Sequence, residues 1–387
     1  MPNNASLAAV ISIAALVGVL AYLRWQVPAS SSSRSFLSSN ATADDVWSAG
    51  HTITTAPTCL GGSLRLTDIL GEGRNSIVFS ATTRDGEDPK YAVKVRSAVG
   101  DSDGQLTREY EVLVALNSTE GFPRIYCHVP EKNFLVMELL VGYKPLTKFA
   151  PRSPPPLPIN QLVENLINRF ESVHEAGYVH VDVHRRNILV NEATGGVALI
   201  DFGLAVAHHE QRNPKYVNLY LSGVHEGAQL PMIPIDDIER LVYVLINQFY
   251  APLPWSELFK LREKIEKDLV HTRRTVTSSG SPAGVTDVLN MIDGRVLAKK
   301  LELVGDVRFF TTNGIPLQLR ALLKYAQSWK RDSSVKINYG FMRSLFMDGV
   351  AEQGDVEDDE ASMELGTPEN SSEEDAGFVF PASSTGK

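Results

Sequence analysis

His180-Val181-Asp182-Val183-His184-Arg185-Arg186-Asn187, followed fourteen residues after Asn187 by Asp201-Phe202-Gly203, is the stretch whose reading decides the fold. Its residue types suit phosphoryl transfer. One carboxylate must accept or orient the proton of an attacking hydroxyl, while an amide and a second carboxylate hold the metal ions that neutralise phosphate charge. Asp182 fits the base, and Asn187 and Asp201 fit the metal ligands. Between them, Ile188-Leu189-Val190, a turn at Gly195-Gly196 and Val197-Ala198-Leu199-Ile200 read as a strand pair. That hairpin returns Asp201 to the side of Asn187. Taken alone, His-x-Asp-x-His is also compatible with a surface turn or a metal site. The order of further signals upstream separates these readings.

Upstream, Gly71-Glu72-Gly73-Arg74-Asn75-Ser76-Ile77-Val78 follows a strand that starts at Leu64. Gly71 and Gly73 let a hairpin tip approach phosphate oxygens, with backbone N–H groups as donors. Val78 is placed to cover a purine, and Ser76 stands where a third glycine is usual. Tyr91-Ala92-Val93-Lys94-Val95 alternates like a strand and offers Lys94 to the α- and β-phosphates. Lys94 then needs a helical carboxylate. Residues 106–116 carry an apolar face of Leu106, Val112, Leu113 and Leu116, and Glu109 is the expected partner, with Glu111 its competitor. Phe134-Leu135-Val136-Met137 reads as a buried strand leading to Glu138-Leu139-Leu140. The backbone of Glu138 and Leu140 would meet the adenine edge, with Met137 behind the pocket.

Downstream, Pro151 to Pro158 holds five prolines in eight residues and is a stiff loop. Residues 159–175 form an amphipathic helix entering the catalytic loop. Asp236-Asp237 opens an apolar helix, where Asp237 can accept backbone N–H groups of that loop. His208-His209 is assigned to the surface, residues 271–287 to an exposed loop, and residues 314–347 to further helix.

Of 387 residues, 43% are hydrophobic and 21% charged, enough for a sizeable core. The net charge of −9 is concentrated in the tail. Residues 351–387 hold eleven acidic residues and one lysine, or −10, leaving +1 for the rest. No nucleic-acid surface is expected. The tail, 351–387, lacks the apolar content to fold and reads as disordered, a segment for a binding partner. Cys59 and Cys127 show no metal-knuckle spacing; Cys127 reads as core, and two cysteines suit a reducing compartment. Residues 5–23 are uncharged and long enough to span a bilayer. Arg24 and Arg34 follow them, so a single-pass anchor would leave the remainder cytosolic. The alternative is secretion after signal cleavage. Residues 24–63 read as a Ser/Thr-rich tether.

With these stretches in order, the chain resembles the casein kinase I and vaccinia-related kinase branch of the protein kinase superfamily. Val136-Met137-Glu138-Leu139-Leu140 resembles that branch's hinge, Asp236-Asp237-Ile238-Glu239 through Leu253-Pro254-Trp255 its central helix, and Tyr339-x-Phe341-Met342-Arg343-x-Leu345-Phe346 its C-terminal helix. The resemblance implies an α+β, bilobal protein kinase-like fold: a small β-rich N-lobe over 64–140 and a larger helical C-lobe over 141–350. It also implies ATP and Mg2+ as cofactors and protein Ser or Thr as the substrate. Two departures stand out. His184 replaces the lysine that contacts the γ-phosphate, and Leu221-Ser222-Gly223-Val224 stands where a Gly-Thr pair bridges base and substrate. They open a second reading, a nucleotide-binding pseudokinase scaffold. A third is a small-molecule phosphotransferase of the aminoglycoside or choline type, whose loop also reads His-x-Asp-x-His-x-x-Asn.

Overall fold

The computed structural model describes residues 48–347 apart from 56–59, 61, 74–75, 84–85, 97–103, 117–118, 209, 211–219, 229, 276–283 and 330–335. Residues 5–23, read as a membrane segment, residues 24–47, read as tether, and the acidic tail lie outside the described residues. Among the described residues no helix is long and apolar enough to cross a membrane.

The N-terminal lobe is a six-stranded antiparallel sheet. Its strands are β1 (Thr52–Thr54), β2 (Ser63–Glu72), β3 (Ser76–Thr82), β4 (Tyr91–Arg96), β5 (Ile125–Val129) and β6 (Phe134–Glu138), in the order β1-β2-β3-β4-β6-β5. Leu64, Leu66, Phe79, Ala81, Val93 and Val95 are all buried from this sheet. Helix α1 (Gln105–Leu116) lies between β4 and β5 and buries Leu106, Val112, Leu113 and Leu116. That spacing of apolar residues forms one helical face, and Glu109 falls on it. Its burial is therefore dictated by register, and a buried carboxylate requires a cation or hydrogen-bond donors to compensate it.

The C-terminal lobe is mainly helical. Helix α2 (Ile159–Glu175) follows Pro158 and buries Leu162, Val163, Leu166, Ile167, Phe170 and Val173. Short antiparallel pairs hang beside it: β9 (Ile188–Asn191) joins both β7 (Lys144–Pro145) and β10 (Gly196–Leu199), and β8 (Tyr178–Val179) joins β11 (Val206–Ala207). Gly195, at φ 72°, makes the turn between β9 and β10. Beyond them come α3 (Val224–Gly227) and α4 (Pro234–Leu245). Pro234 occupies the first turn of α4, and the Asp236 carboxylate accepts the Ile233 N–H at 2.8 Å. One π-helical turn, Ile246–Tyr250, closes α4 with Ala251 N–H on the Ile246 carbonyl at 3.0 Å. The lobe ends with α5 (Ser256–Thr275), α6 (Val285–Leu303), α7 (Val307–Thr312), α8 (Leu317–Ser328) and α9 (Tyr339–Ser344). This is a bilobal kinase fold, with a curled N-terminal sheet over a helical C-terminal lobe.

Three expectations need correction. Thr52–Thr54, read as tether, is an edge strand pairing with Ser63–Arg65, so the folded unit starts before residue 64. Its short Thr-Ile-Thr run, too brief to show a period, is recruited by the sheet. The segment 271–287 is not all loop, since α5 reaches Thr275 and α6 starts at Val285. Cys127 is not a core thiol; it is half-buried on β5 and disulfide-bonded, while Cys59 lies outside the described residues.

Candidate active site

Lys94 leaves β4 and places its ammonium 2.6 Å from Glu109 Oε2 of α1 and 2.7 Å from Asp201 Oδ1. Lys94 and Glu109 are buried, whereas the Asp201 side chain is 43% exposed. Burial opposes charge on Lys94, but the carboxylates of Asp201 and Glu109 outweigh it and hold the ammonium well above the ordinary lysine value. Burial lifts the Glu109 carboxyl above its ordinary value, against the pull of Lys94 and with a further push from Asp201. Burial also works to raise Asp201, but Lys94 prevails and lowers it. Glu111 has a different partner, Arg108, at 3.2 Å.

The catalytic loop is built from below. Asp237, fully buried at the start of α4, accepts the backbone N–H of His180 at 2.6 Å and of Val181 at 2.9 Å. Val181 sits at φ 68°, an unfavourable region for a β-branched residue, so these bonds hold a turn that the chain would otherwise avoid. His180 is buried against Phe202, ring centroids 4.7 Å apart, and its Nε2 lies 3.1 Å from the Ile200 carbonyl. Asp182 projects from this turn, with its side chain 25% exposed. Asn187 Nδ2 donates to the Asp182 carbonyl at 3.0 Å and to its Oδ2 at 3.2 Å. That leaves Asn187 Oδ1 as the amide atom able to ligate a metal. The Asn187 carbonyl accepts the Ile200 N–H at 3.0 Å, which sets Asp201 beside it. Asp201 has φ 64° and is thus turned out of the strand direction.

His184 lies beside Asp182, Nε2 to Oδ2 3.5 Å, and its Nδ1 accepts the Arg186 N–H at 3.3 Å. Arg185 and Arg186 are exposed on the same loop. On the nucleotide side, Met137 is buried at the end of β6, paired with Ala92. Leu139 N–H donates to Lys90 at 3.1 Å, which fixes the turn carrying Glu138 and Leu140. Gly71 pairs with Val78 across the β2–β3 hairpin, and Gly73 N–H reaches the Ser76 carbonyl at 2.8 Å. Of that hairpin, Arg74 and Asn75 lie outside the described residues. His208 is exposed, and His209 lies outside them.

Residues 64–222 match the family model of the protein kinase domain. With the two-lobed architecture, the match supports a place in the protein kinase-like superfamily. Kinase domains of this type use ATP with Mg2+, and the residues present fit that pair. Among the described residues no three His, Cys, Asp or Glu side chains form a complete metal cage. The amide oxygen of Asn187 and the carboxylate of Asp201 are oxygen donors of the kind that would suit a magnesium ion.

Several residues of the kinase domain escaped the sequence reading. Arg108 of α1 forms an ion pair with Glu210, beyond β11, and lies 5.9 Å over the Tyr178 ring of β8. It straps α1, and hence Glu109, to the segment after Asp201. The end of that segment is also anchored. Lys300, fully buried on α6, donates to the Ser222 carbonyl at 2.5 Å and hydroxyl at 3.1 Å. Glu239 accepts Val224 N–H at 2.9 Å, Tyr243 O–H at 2.6 Å and Gln327 Nε2 at 2.9 Å. The Ser222 hydroxyl, in the stretch that departs from the expected Gly-Thr pair, is thus committed to the interior. The Arg108–Glu210 pair had no sequence signal, because its partners are 102 residues apart.

Proposed function

We propose that this chain is a protein Ser/Thr kinase of the casein kinase I and vaccinia-related type. It moves the γ-phosphoryl group of ATP to a hydroxyl on a protein substrate. The observation that carries this reading is Lys94 bridging Glu109 and Asp201 while Asp182 stays partly exposed. Mg-ATP, when bound, supplies the phosphoryl group and the neutralising cation. Lys94 orients the α- and β-phosphates, Asn187 and Asp201 hold the metal, and Glu138 and Leu140 face the adenine edge. Asp182 takes the proton of the acceptor hydroxyl as its oxygen bonds to phosphorus and the bridge to ADP breaks. Exposed Arg185 and Arg186 beside the base favour acidic acceptors. Full-length protein should phosphorylate casein from ATP, and Asp182→Asn should abolish transfer. Label persisting in the mutant would assign the activity to a contaminant. Transfer to small alcohols alone would favour the small-molecule reading.

A second reading, a nucleotide-binding scaffold, is favoured by His184 in place of lysine and by the buried Ser222 hydroxyl. It predicts a Mg-ATP-dependent rise in Tm without transfer. Residues 5–23 would anchor the chain with residues 48–347 on the cytosolic face, and the acidic tail would serve partner binding. The Cys127 disulfide favours the opposite compartment instead, since such bonds persist outside reducing cytosol. Asn40-Ala41-Thr42 matches a glycosylation sequon, and a mobility shift on its deglycosylation would decide for that side.

A further inference from the structure

Strand β4 turns a second cation towards α1. Successive side chains of a strand alternate, so Lys94 and Arg96 share one face, and both are buried. On α1, Gln105 and Glu109 are four residues apart and share one helical face in the same way. Arg96 Nη1 donates to Gln105 Oε1 at 2.9 Å, beside the 2.6 Å bond from Lys94 to Glu109. Two residues of strand and four of helix both advance about 6 to 7 Å, so the two bonds form together as parallel rungs.

The second rung also bears on the Asp201-Phe202-Gly203 turn. Gly203 packs on Gln105: a Cβ at that glycine would lie 3.3 Å from Gln105 Cβ and 3.4 Å from the Gln105 carbonyl oxygen. One helical turn on, the Glu109 carboxylate accepts the Phe202 N–H, and Asp201 accepts the N–H of Gly203. The inner face of α1 is thus the surface against which this turn rests. Lys94 divides its charge between Glu109 and Asp201, and in transfer it must also serve phosphate. Arg96 is spared that demand, because it is buried and bonded to a neutral amide.

We propose that Arg96 is a positioning residue for phosphoryl transfer. It seats Gln105, and with it the first turn of α1, against the Asp201–Gly203 turn, so that Glu109 meets Lys94 and Asp201 keeps its place beside Asn187. The consequence for transfer rests on the kinase reading, whereas the rung itself does not.

Each of the two residues has further interactions, so a double-mutant cycle isolates the pair. Full-length wild type, Arg96→Met, Gln105→Leu, the double variant and Gln105→Glu are compared by steady-state transfer from ATP to casein and by amide hydrogen exchange. Arg96→Met and Gln105→Leu should each lower kcat roughly tenfold, and the double variant should lose no more than either. KM for ATP should stay within about threefold, since the hinge and the glycine hairpin are untouched. Gln105→Glu keeps the acceptor and adds a charge that Arg96 and the helix dipole both favour, so its kcat should stay within about twofold of wild type. A loss of stability alone would not give this pattern. Losses that multiply in the double variant, an unchanged kcat in Gln105→Leu, or a Gln105→Glu as slow as Gln105→Leu each overturn the proposal. If Arg96→Met does not fold, the two Gln105 variants decide. If wild type transfers no phosphate, the kinase reading falls and hydrogen exchange decides the rung. The amides of residues 108–110 should then exchange roughly tenfold faster in Gln105→Leu than in wild type, and equal rates overturn it.

Discussion

Two buried lysines, one in each lobe, solve the same physical problem in opposite ways. Lys94 meets two carboxylates, one buried and one open to solvent. Lys300 is fully buried, bonded to the carbonyl and hydroxyl of Ser222 and flanked by the rings of Tyr243 and Trp255 at 5.6 and 5.4 Å. An ammonium deep in protein must be compensated. Lys94 is compensated by groups that can be exchanged, because Asp201 can share its charge with a metal ion and Lys94 its own with phosphate. Lys300 is compensated by backbone, hydroxyl and aromatic faces, with Glu239 acting from nearby. The first arrangement leaves a site, and the second fastens one end of the segment that follows Asp201. A buried lysine is thus not by itself a mark of function; the exposure of its partners is.

The strongest test of this contrast is at the first lysine. Lys94→Met should reduce phosphoryl transfer by about a thousandfold or more and abolish the Mg-ATP shift in Tm. It also leaves Glu109 buried without a cation. Because Glu109 already titrates above its ordinary value, neutralising it on acidification relieves the fault. The stability deficit of Lys94→Met against wild type should therefore shrink as pH falls from 8 to 5, as measured by urea unfolding. A deficit that grows over that range would contradict the assigned direction.

Lys300→Met should cost about 3 kcal/mol in unfolding free energy, the scale for breaking a buried polar cluster on one side. The Mg-ATP shift in Tm should survive. If this variant also lost the shift, the two lysines would not differ in kind. Between the lobes, Gly121 at φ 87° packs directly against the side chain of Arg169, which is bound to the Glu120 carbonyl and carboxylate. Gly121→Ala adds a methyl where that side chain lies and strains the backbone, for about 2 kcal/mol of destabilisation by denaturant melt. The smallest effect belongs to the strap on α1. Glu210→Ala should lower kcat/KM for transfer by roughly fivefold and leave Tm within about 2 °C, since a partly exposed ion pair contributes about 1 kcal/mol or less.

Legibility followed sequence distance. The loop from His180 to Asn187 carries its ligand types within eight residues, and its hairpin to Asp201 is marked by Gly195-Gly196. Glu109 could be chosen over Glu111 because one helical face fixes which carboxylate turns inward, and Lys94 pairs with it. The role of Asp237 was readable from its place at a helix start, and it does accept two loop amides. Lys300 was not readable, because one of two adjacent lysines on a helix looks the same until the neighbouring helices are placed. Thr52–Thr54 lacked a period, and the Cys127 bond had no local mark.

Local periodicity and short-range residue chemistry were enough for the sequence to determine two lobes, a glycine-bearing hairpin and the carboxylates set around Lys94 and Asn187. Both depend on backbone geometry within a few residues. Only the tertiary structure decided what fastens the segment that follows Asp201: Arg108 on Glu210 and Lys300 on Ser222, pairs 102 and 78 residues apart. Such pairs arise when packed apolar faces bring polar side chains out of water together, and no interval along the chain encodes which will meet.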